Sequence, residues 1–393
     1  MSNLFTRAMS KATDLTKSGK LREATALIQA LLTRHPGTGA ASRAPAADTD
    51  GAIDGTFTRL ADHPPLGAPL ARPDRRRKAS ATPRTPLVET LRRIAAGGMP
   101  KAARPVPAPP DLPAGAQFLS LTHASAPGSL VYRLYIPASR RDVPMPLVVM
   151  LHGCTQTPED FAIGTGMNAL AEEFGCLIAY PAQPSGANAQ NCWNWFRPQD
   201  QARDRGEPAV IAGLTRDILR DPPADPARVY VAGLSAGGAP AALVAAAYPD
   251  MFCAVGVHSG LPVGGARDVP SAFAAMQNGS AGDGHCATVP TIAFHGLADS
   301  TVHPDNSAAV LAQALHARPG LRSKVEIGTA RGGRTFRRTS YASGDGATMA
   351  EHWQIDRAGH AWSGGQTGGS YTDPKGPDAS REMLRFFLQH ARD

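Results

Sequence analysis

Val229-Tyr230-Val231-Ala232-Gly233-Leu234-Ser235-Ala236-Gly237-Gly238 runs directly into the alanine-rich segment Ala239 to Ala247. A β-branched, apolar run enters a Gly-x-Ser-x-Gly turn, and strong helix formers take over on its far side. That strand–serine–helix context lifts a serine hydroxyl to the top of a sheet, on a turn too tight for large neighbours. Gly233, Ala236, Gly237 and Gly238 are all small enough for it. The pattern alone is common because its residues are common, but here both flanks fit. If Ser235 is a nucleophile, the chain must also hold a base, an acid and an oxyanion hole.

On either side of this stretch, strands and helices alternate. Leu147 to Leu151 is a continuous apolar run, the mark of a strand buried on both faces of a parallel sheet. A helix is expected over 160–174, then the strand Leu177 to Tyr180, a long loop, and a helix over 209–219. After the serine come strands at 254–257, 291–294, 324–327 and 351–355, a helix over 306–315, and a closing helix over 379–390. Before Leu147, residues 117–122 and 130–136 alternate as a β-hairpin with Pro127-Gly128 in the turn. The alternation predicts an α/β fold, a doubly wound and mostly parallel sheet, whose reactive groups sit on loops at the carboxyl ends of strands.

Three further candidates fall at such ends. Phe294-His295-Gly296-Leu297-Ala298-Asp299 ends a strand in a turn that presents an acid. Ala358-Gly359-His360-Ala361-Trp362-Ser363-Gly364-Gly365 is a Gly-rich loop carrying a histidine. An Asp in such a place is most often a helix cap, and most of the 12 histidines must be surface or core residues. The chain order Ser, Asp, His, with each residue at a strand end, is however that of the α/β-hydrolases. His360 would take the proton of Ser235 as general base, and Asp299 would fix its tautomer. The third candidate is Leu151-His152-Gly153-Cys154-Thr155-Gln156. The backbone N–H of Cys154 there, with that of Ala236, is expected to hold a developing oxyanion.

Total composition excludes several classes. The 393 residues carry a formal net charge of +7, but Arg72, Arg75, Arg76, Arg77 and Lys78 form one block of the excess. Such a block is a solvated segment without sequence-specific role, so no specific nucleic-acid partner is expected. No apolar run approaches the ~20 residues of a membrane span. Charges interrupt Met1 to Leu32 too often for a secretory signal, which predicts a cytoplasmic protein. The five cysteines lack metal-type spacing, so no metal is expected. Residues 1–34 read as a helical hairpin able to dock or oligomerise, 35–115 as a Pro/Ala/Arg-rich, largely disordered linker, and 116–393 as the catalytic domain.

Taken together, Leu-His-Gly-Cys-Thr-Gln, Asn191-Cys192-Trp193-Asn194-Trp195-Phe196, Gly-Leu-Ser-Ala-Gly-Gly, His258-Ser259-Gly260, His-Gly-x-x-Asp and Gly-His-Ala-Trp-Ser-Gly-Gly resemble the polyhydroxybutyrate depolymerase family of esterases. Feruloyl and acetylxylan esterases are among its relatives. The resemblance covers roughly residues 116–390. It implies an α/β-hydrolase fold and cleavage of carboxylic esters without metal or cofactor, with Ser235, Asp299 and His360 as triad and Cys154 and Ala236 as oxyanion donors. An acyltransferase, a serine peptidase or a non-catalytic binding module on the same fold are the alternatives. Trp193 and Trp195 are either core plugs or walls of a substrate groove, and Trp362, beside His360, is expected to wall the active site. Cys154 and Cys192 sit on loops at the same end of the sheet, which leaves a disulfide between them open, although a cytoplasmic thiol pair would normally stay reduced.

Overall fold

A computed structural model describes residues 112–392 apart from 140–142, 221–223, 283–288 and 317. The expected hairpin over 1–34, the linker as far as 111, the basic block and Cys286 lie outside the described residues.

Ten strands form one sheet: β1 (Gln117–Ser125), β2 (Gly128–Ile136), β3 (Met145–Leu151), β4 (Leu177–Pro181), β5 (Ala224–Leu234), β6 (Ala254–His258), β7 (Thr291–Gly296), β8 (Arg322–Thr329), β9 (Thr335–Ala342) and β10 (Thr348–Ile355). Their order is β1-β2-β4-β3-β5-β6-β7-β10-β9-β8. The six strands from β4 to β10 pair in parallel, and antiparallel pairs extend both ends. Two short strands, β11 (Trp362–Ser363) and β12 (Thr372–Asp373), pair separately. This is the mostly parallel, doubly wound sheet that the alternation predicted, in the α/β-hydrolase form that the resemblance implied.

Helices cover both faces: α1 (Pro158–Thr165), α2 (Met167–Phe174), α3 (Gly206–Arg220), α4 (Gly238–Ala247), α5 (Val269–Asn278), α6 (Asp305–His316) and α7 (Ala379–Phe387). The period-2 geometry of a strand divides its side chains between them. Leu147, Val149 and Leu151 pack with Ile211 and Leu214 of α3 and Leu243 and Val244 of α4. Val148 and Met150 face the other way, to Phe161 of α1, Met167 of α2 and Met383, Phe386 and Phe387 of α7. All seven residues of β3 are therefore buried, which is why it reads as an unbroken apolar run.

Several elements depart from expectation, among them helix α5 and the β11–β12 pair, which no sequence pattern announced. The helix expected over 160–174 is two helices, because Gly166 takes a left-handed φ of 62° that ends α1 and opens α2. Strand β9 (Thr-Phe-Arg-Arg-Thr-Ser-Tyr-Ala) escaped prediction because it is polar and only half buried. No helix among the described residues is long and apolar enough to cross a membrane.

Candidate active site

Ser235 stands between β5 and α4 with φ of 58°, a left-handed conformation that costs an ordinary residue about 1–2 kcal/mol. The surrounding backbone holds it there. Ser235 N donates to His258 O at 2.8 Å, Gly237 N to Leu234 O at 2.7 Å, and Gly238 N to Ser235 O at 2.9 Å. The flanking glycines are required by close approach. A Cβ on Gly233 would lie 2.2 Å from Gly237 O, and one on Gly237 would lie 2.0 Å from Leu151 O at the end of β3. The elbow is thus wedged against the strand that carries the oxyanion loop.

Asp299 follows β7, with its side chain wholly buried. Its Oδ1 accepts the backbone N–H groups of Thr301 and Val302, each at 2.9 Å, which closes a local turn ahead of α6 and leaves Oδ2 for other partners. Oδ2 lies 2.7 Å from His360 Nδ1 and 3.4 Å from His295 Nε2. Burial pushes this carboxyl up, but the His360 and His295 rings and their hydrogen bonds outweigh it and hold the group well below the ordinary carboxylate range. A carboxylate that accepts from Nδ1 leaves the other ring nitrogen of His360 unprotonated, and His360 and Ser235 line one cleft. Among the described residues no hydrogen bond joins the Ser235 hydroxyl to that ring; such contacts tighten when the acyl group enters.

His258 ties the serine and histidine loops together. Its backbone O clamps the elbow, as above, while its Nε2 accepts Ser363 N at 3.0 Å. With Nε2 as acceptor, the ring proton sits on Nδ1, 3.2 Å from Ser259 Oγ. Burial, followed by the neighbouring His295 and His360, pushes its pKa down to about 3, so it is neutral and positions the loops without titrating near neutral pH.

A second histidine shapes the oxyanion loop. His152 Nε2 accepts Gln183 N at 3.1 Å, and the remaining ring proton, on Nδ1, is donated to Gly153 O at 2.8 Å. Burial lowers its pKa to about 4. Gly153 C=O and Cys154 N–H belong to one planar trans peptide and point in opposite directions. Holding the carbonyl therefore fixes the direction of the Cys154 amide, in a residue that lines the same cleft as Ser235. Neither Cys154 N nor Ala236 N has a hydrogen-bond acceptor among the described residues. Two unspent donors beside a serine are what an oxyanion needs.

Cys154 and Cys192 are joined by a disulfide, their Cα atoms 4.3 Å apart. Of the two states the sequence left open, the structure takes the disulfide: the Cys192 loop is drawn against the Cys154 loop closely enough for the bond. Cys176 and Cys253 are free and buried.

The tryptophans also require correction. Trp193 has no exposed surface, and its indole N–H donates to His152 O at 3.0 Å. Trp362 is 1% exposed, donates to Ser380 Oγ at 3.0 Å and stacks on the His258 ring. Both are core residues with satisfied N–H groups, not groove walls. Trp195 is buried with Cys192, Ala236 and Ala239 behind the elbow. The cleft is lined instead by Gly153, Cys154, Leu234, Ser235, His360 and Tyr371. Tyr371 was missed because an aromatic residue in a Gly/Ser-rich loop carries no periodic signal.

Glu207 was missed as well. It accepts Asn194 N at 2.8 Å, Asn194 Nδ2 at 2.7 Å and Gln183 Nε2 at 2.6 Å, and so pins the Cys192–Trp195 loop. Burial, then the charge of Asp200, pushes its pKa up to about 7.

Residues 130–335, just over half of the chain, match the family described as Esterase PHB depolymerase. Poly(3-hydroxyalkanoate) depolymerase C of Paucimonas lemoignei is 34% identical over 248 residues, covering 60% of this chain and 59% of that protein. Poly(3-hydroxybutyrate) depolymerase of Ralstonia pickettii is 30% identical over 271 residues, covering 63% of this chain and 54% of that one. The chain thus spans less than two thirds of the length of either relative. Among solved structures, an acetyl xylan esterase from Aspergillus awamori superimposes with a TM-score of 0.53 at 18% identity, over 70% of this chain and 99% of that one, a likeness in fold alone.

Proposed function

The chain belongs to the esterase PHB depolymerase family, and we propose that it is a serine carboxylic ester hydrolase acting on short-chain or hydroxyalkanoate esters. One observation carries the reading. Ser235 on a strained elbow, His360 bonded to buried Asp299, and Cys154 with its uncommitted amide line a single cleft, and the amide of Ala236, next to the serine, is likewise uncommitted.

The chemistry follows from the groups. Ser235 Oγ attacks the ester carbonyl carbon, and its proton passes to His360 Nε2. The carbonyl π electrons move onto oxygen, where the Cys154 and Ala236 N–H groups stabilise the oxyanion, each worth about 3–4 kcal/mol by analogy with measured donors. Asp299 stabilises the imidazolium without taking its proton. Collapse of the adduct expels the alcohol, which receives the proton from His360, and leaves an acyl-serine. Water, deprotonated by His360, repeats the sequence on the acyl-enzyme and restores the serine. Every step is carried by these three side chains, the two backbone amides and water.

The working location turns on Cys154 and Cys192. A cytoplasmic protein, as expected from the sequence, would hold them as thiols. The disulfide supports an oxidising compartment instead, and alkylation of the protein in lysed source cells separates the two.

The test is hydrolysis of p-nitrophenyl esters of graded acyl length by the wild-type protein and Ser235→Ala. Turnover by the wild type and none above background by the variant is expected; equal rates would overturn the assignment. A parallel series with 3-hydroxybutyrate oligomers, feruloyl esters and acetylated xylan ranks substrates. A strong preference for feruloyl esters would remove hydroxyalkanoates from the proposal.

A further inference from the structure

We propose that Tyr371 is the residue that limits acyl length, its ring closing the cleft beside Ser235 against esters of long acyl chains. The inference rests on the esterase reading above and names the group that sets its substrate range. Four observations support it. Tyr371 lines the cleft together with Ser235 and His360. Its ring meets the His360 ring edge to face, with centroids 6.5 Å apart. Its hydroxyl reaches across to the oxyanion loop, 3.2 Å from Thr155 Oγ1. Finally, both residues of that pair hold left-handed backbone conformations, Tyr371 at φ 50° and Thr155 at φ 65°. For a β-branched threonine such a φ is a genuine outlier. Two strained residues whose side chains touch over a reactive serine point to a maintained wall, since strain of about 1–3 kcal/mol each persists only where the surroundings impose it.

The surroundings do impose it. Ser370 N donates to Asp160 Oδ1 at 2.9 Å, and Gln156 Nε2 donates to Ser370 O at 3.2 Å. Trp362 N donates to Tyr371 O at 2.6 Å. Gln156 also accepts Gly153 N at 2.9 Å, so the residue that shapes the oxyanion loop also holds the Tyr371 loop. The cleft that remains is narrow, with about 10 Å³ of room, the space of about one water. An eight-carbon chain does not fit there while the ring is in place.

The experiment compares kcat/KM for p-nitrophenyl acetate, butyrate, octanoate and laurate in the wild type, Tyr371→Ala, Tyr371→Gly and Tyr371→Phe. The glycine variant removes the ring and also relieves the left-handed backbone strain that alanine keeps, so it guards against a folding defect in the alanine variant. The octanoate-to-butyrate ratio is expected to rise by about 10-fold or more in the alanine and glycine variants, the scale on which pocket walls discriminate methylenes. It stays within about 3-fold of wild type in the phenylalanine variant, which keeps the ring. A ratio unchanged in a folded glycine variant overturns the proposal, as does a phenylalanine variant that broadens as far as glycine. A wild type with no more turnover than Ser235→Ala fails the esterase reading itself, a result separate from either.

Discussion

Breaking the Cys154–Cys192 disulfide should lower both stability and turnover, by different routes and in separable amounts. The bond closes a loop of sequence separation 38. On the chain-entropy account, removing a cross-link of that span returns about 4 kcal/mol of conformational freedom to the unfolded state at 25 °C. For a domain of this size that corresponds to a fall of roughly 8 °C in unfolding midpoint, at ~2 °C per kcal/mol. The catalytic effect is local. Cys154 supplies a backbone donor, so Cys154→Ser keeps the N–H itself, and the peptide remains held by His152 through Gly153 O. Loss of a whole oxyanion donor costs about 10²–10³ in kcat; a donor whose tether is cut but whose carbonyl is still pinned should lose about 10-fold. KM should scarcely move, since the donor acts on charge that develops only in the transition state. Cys154→Ser, Cys192→Ser and the reduced wild-type protein should agree, by thermal unfolding and by p-nitrophenyl butyrate kinetics. If reduction leaves both midpoint and kcat unchanged, the hydrogen bonds from His152, Gln156 and Gln183 hold the loop unaided, and the disulfide has no part in the site.

Asp299→Asn should lower kcat about 10⁴-fold with little change in KM, because the amide favours the wrong His360 tautomer; steady-state kinetics decide it. Glu207 should make stability fall as pH rises. Its pKa in the folded chain is about 7 against an ordinary 4.5, so its contribution is fully present below about pH 4.5 and lost as pH passes through 7, a swing of roughly 3 kcal/mol. Denaturant unfolding at pH 4.5 and 8, compared with Glu207→Gln, isolates it, and a parallel pH trend in the two proteins would refute it. Removal of residues 1–111 should leave kcat/KM for short esters within about 2-fold, as for a terminal segment that contributes no group to the site; a larger loss would place part of the site in the deleted stretch.

The residues proposed to perform the chemistry were legible because each sits in a local pattern that physics makes recognisable. Ser235 needs a strand before it and small residues around it; Asp299 and His360 need strand ends; Cys154 needs the turn after β3. The residues that position them were less legible, because their work depends on distant parts of the chain. His258 holds Ser363, 105 residues away, and Gln156 holds Ser370, 214 residues away. Glu207 could not be distinguished from a solvated first-turn glutamate until Asn194 and Gln183 came to it. The tryptophans show the opposite error. Adjacency of Trp362 to His360 in sequence suggested adjacency in the cleft, but β11 turns the indole inward to Ser380 while His360 turns out. In an extended segment, two residues apart means the same face, yet Ala361 and Trp362 lie at the loop-to-strand junction, where that rule lapses.

The arrangement also explains why a site crowded with imidazoles can run on one of them. His152 and His258 are buried, each spends one nitrogen as an acceptor from a backbone N–H, and each has its pKa pushed down, to about 4 and about 3. An imidazole that must accept a hydrogen bond through one nitrogen cannot be protonated there without breaking it, so burial and backbone donors together fix these rings as neutral struts. His360 differs in its partner: its Nδ1 meets the Asp299 carboxylate instead of a backbone N–H. A carboxylate favours the cation that forms when the ring takes the serine proton. The same side chain thus serves as strut or base according to whether the atom facing it donates a proton or carries negative charge. Exchanging those partners, as in Asp299→Asn, should turn His360 from a base into a third strut.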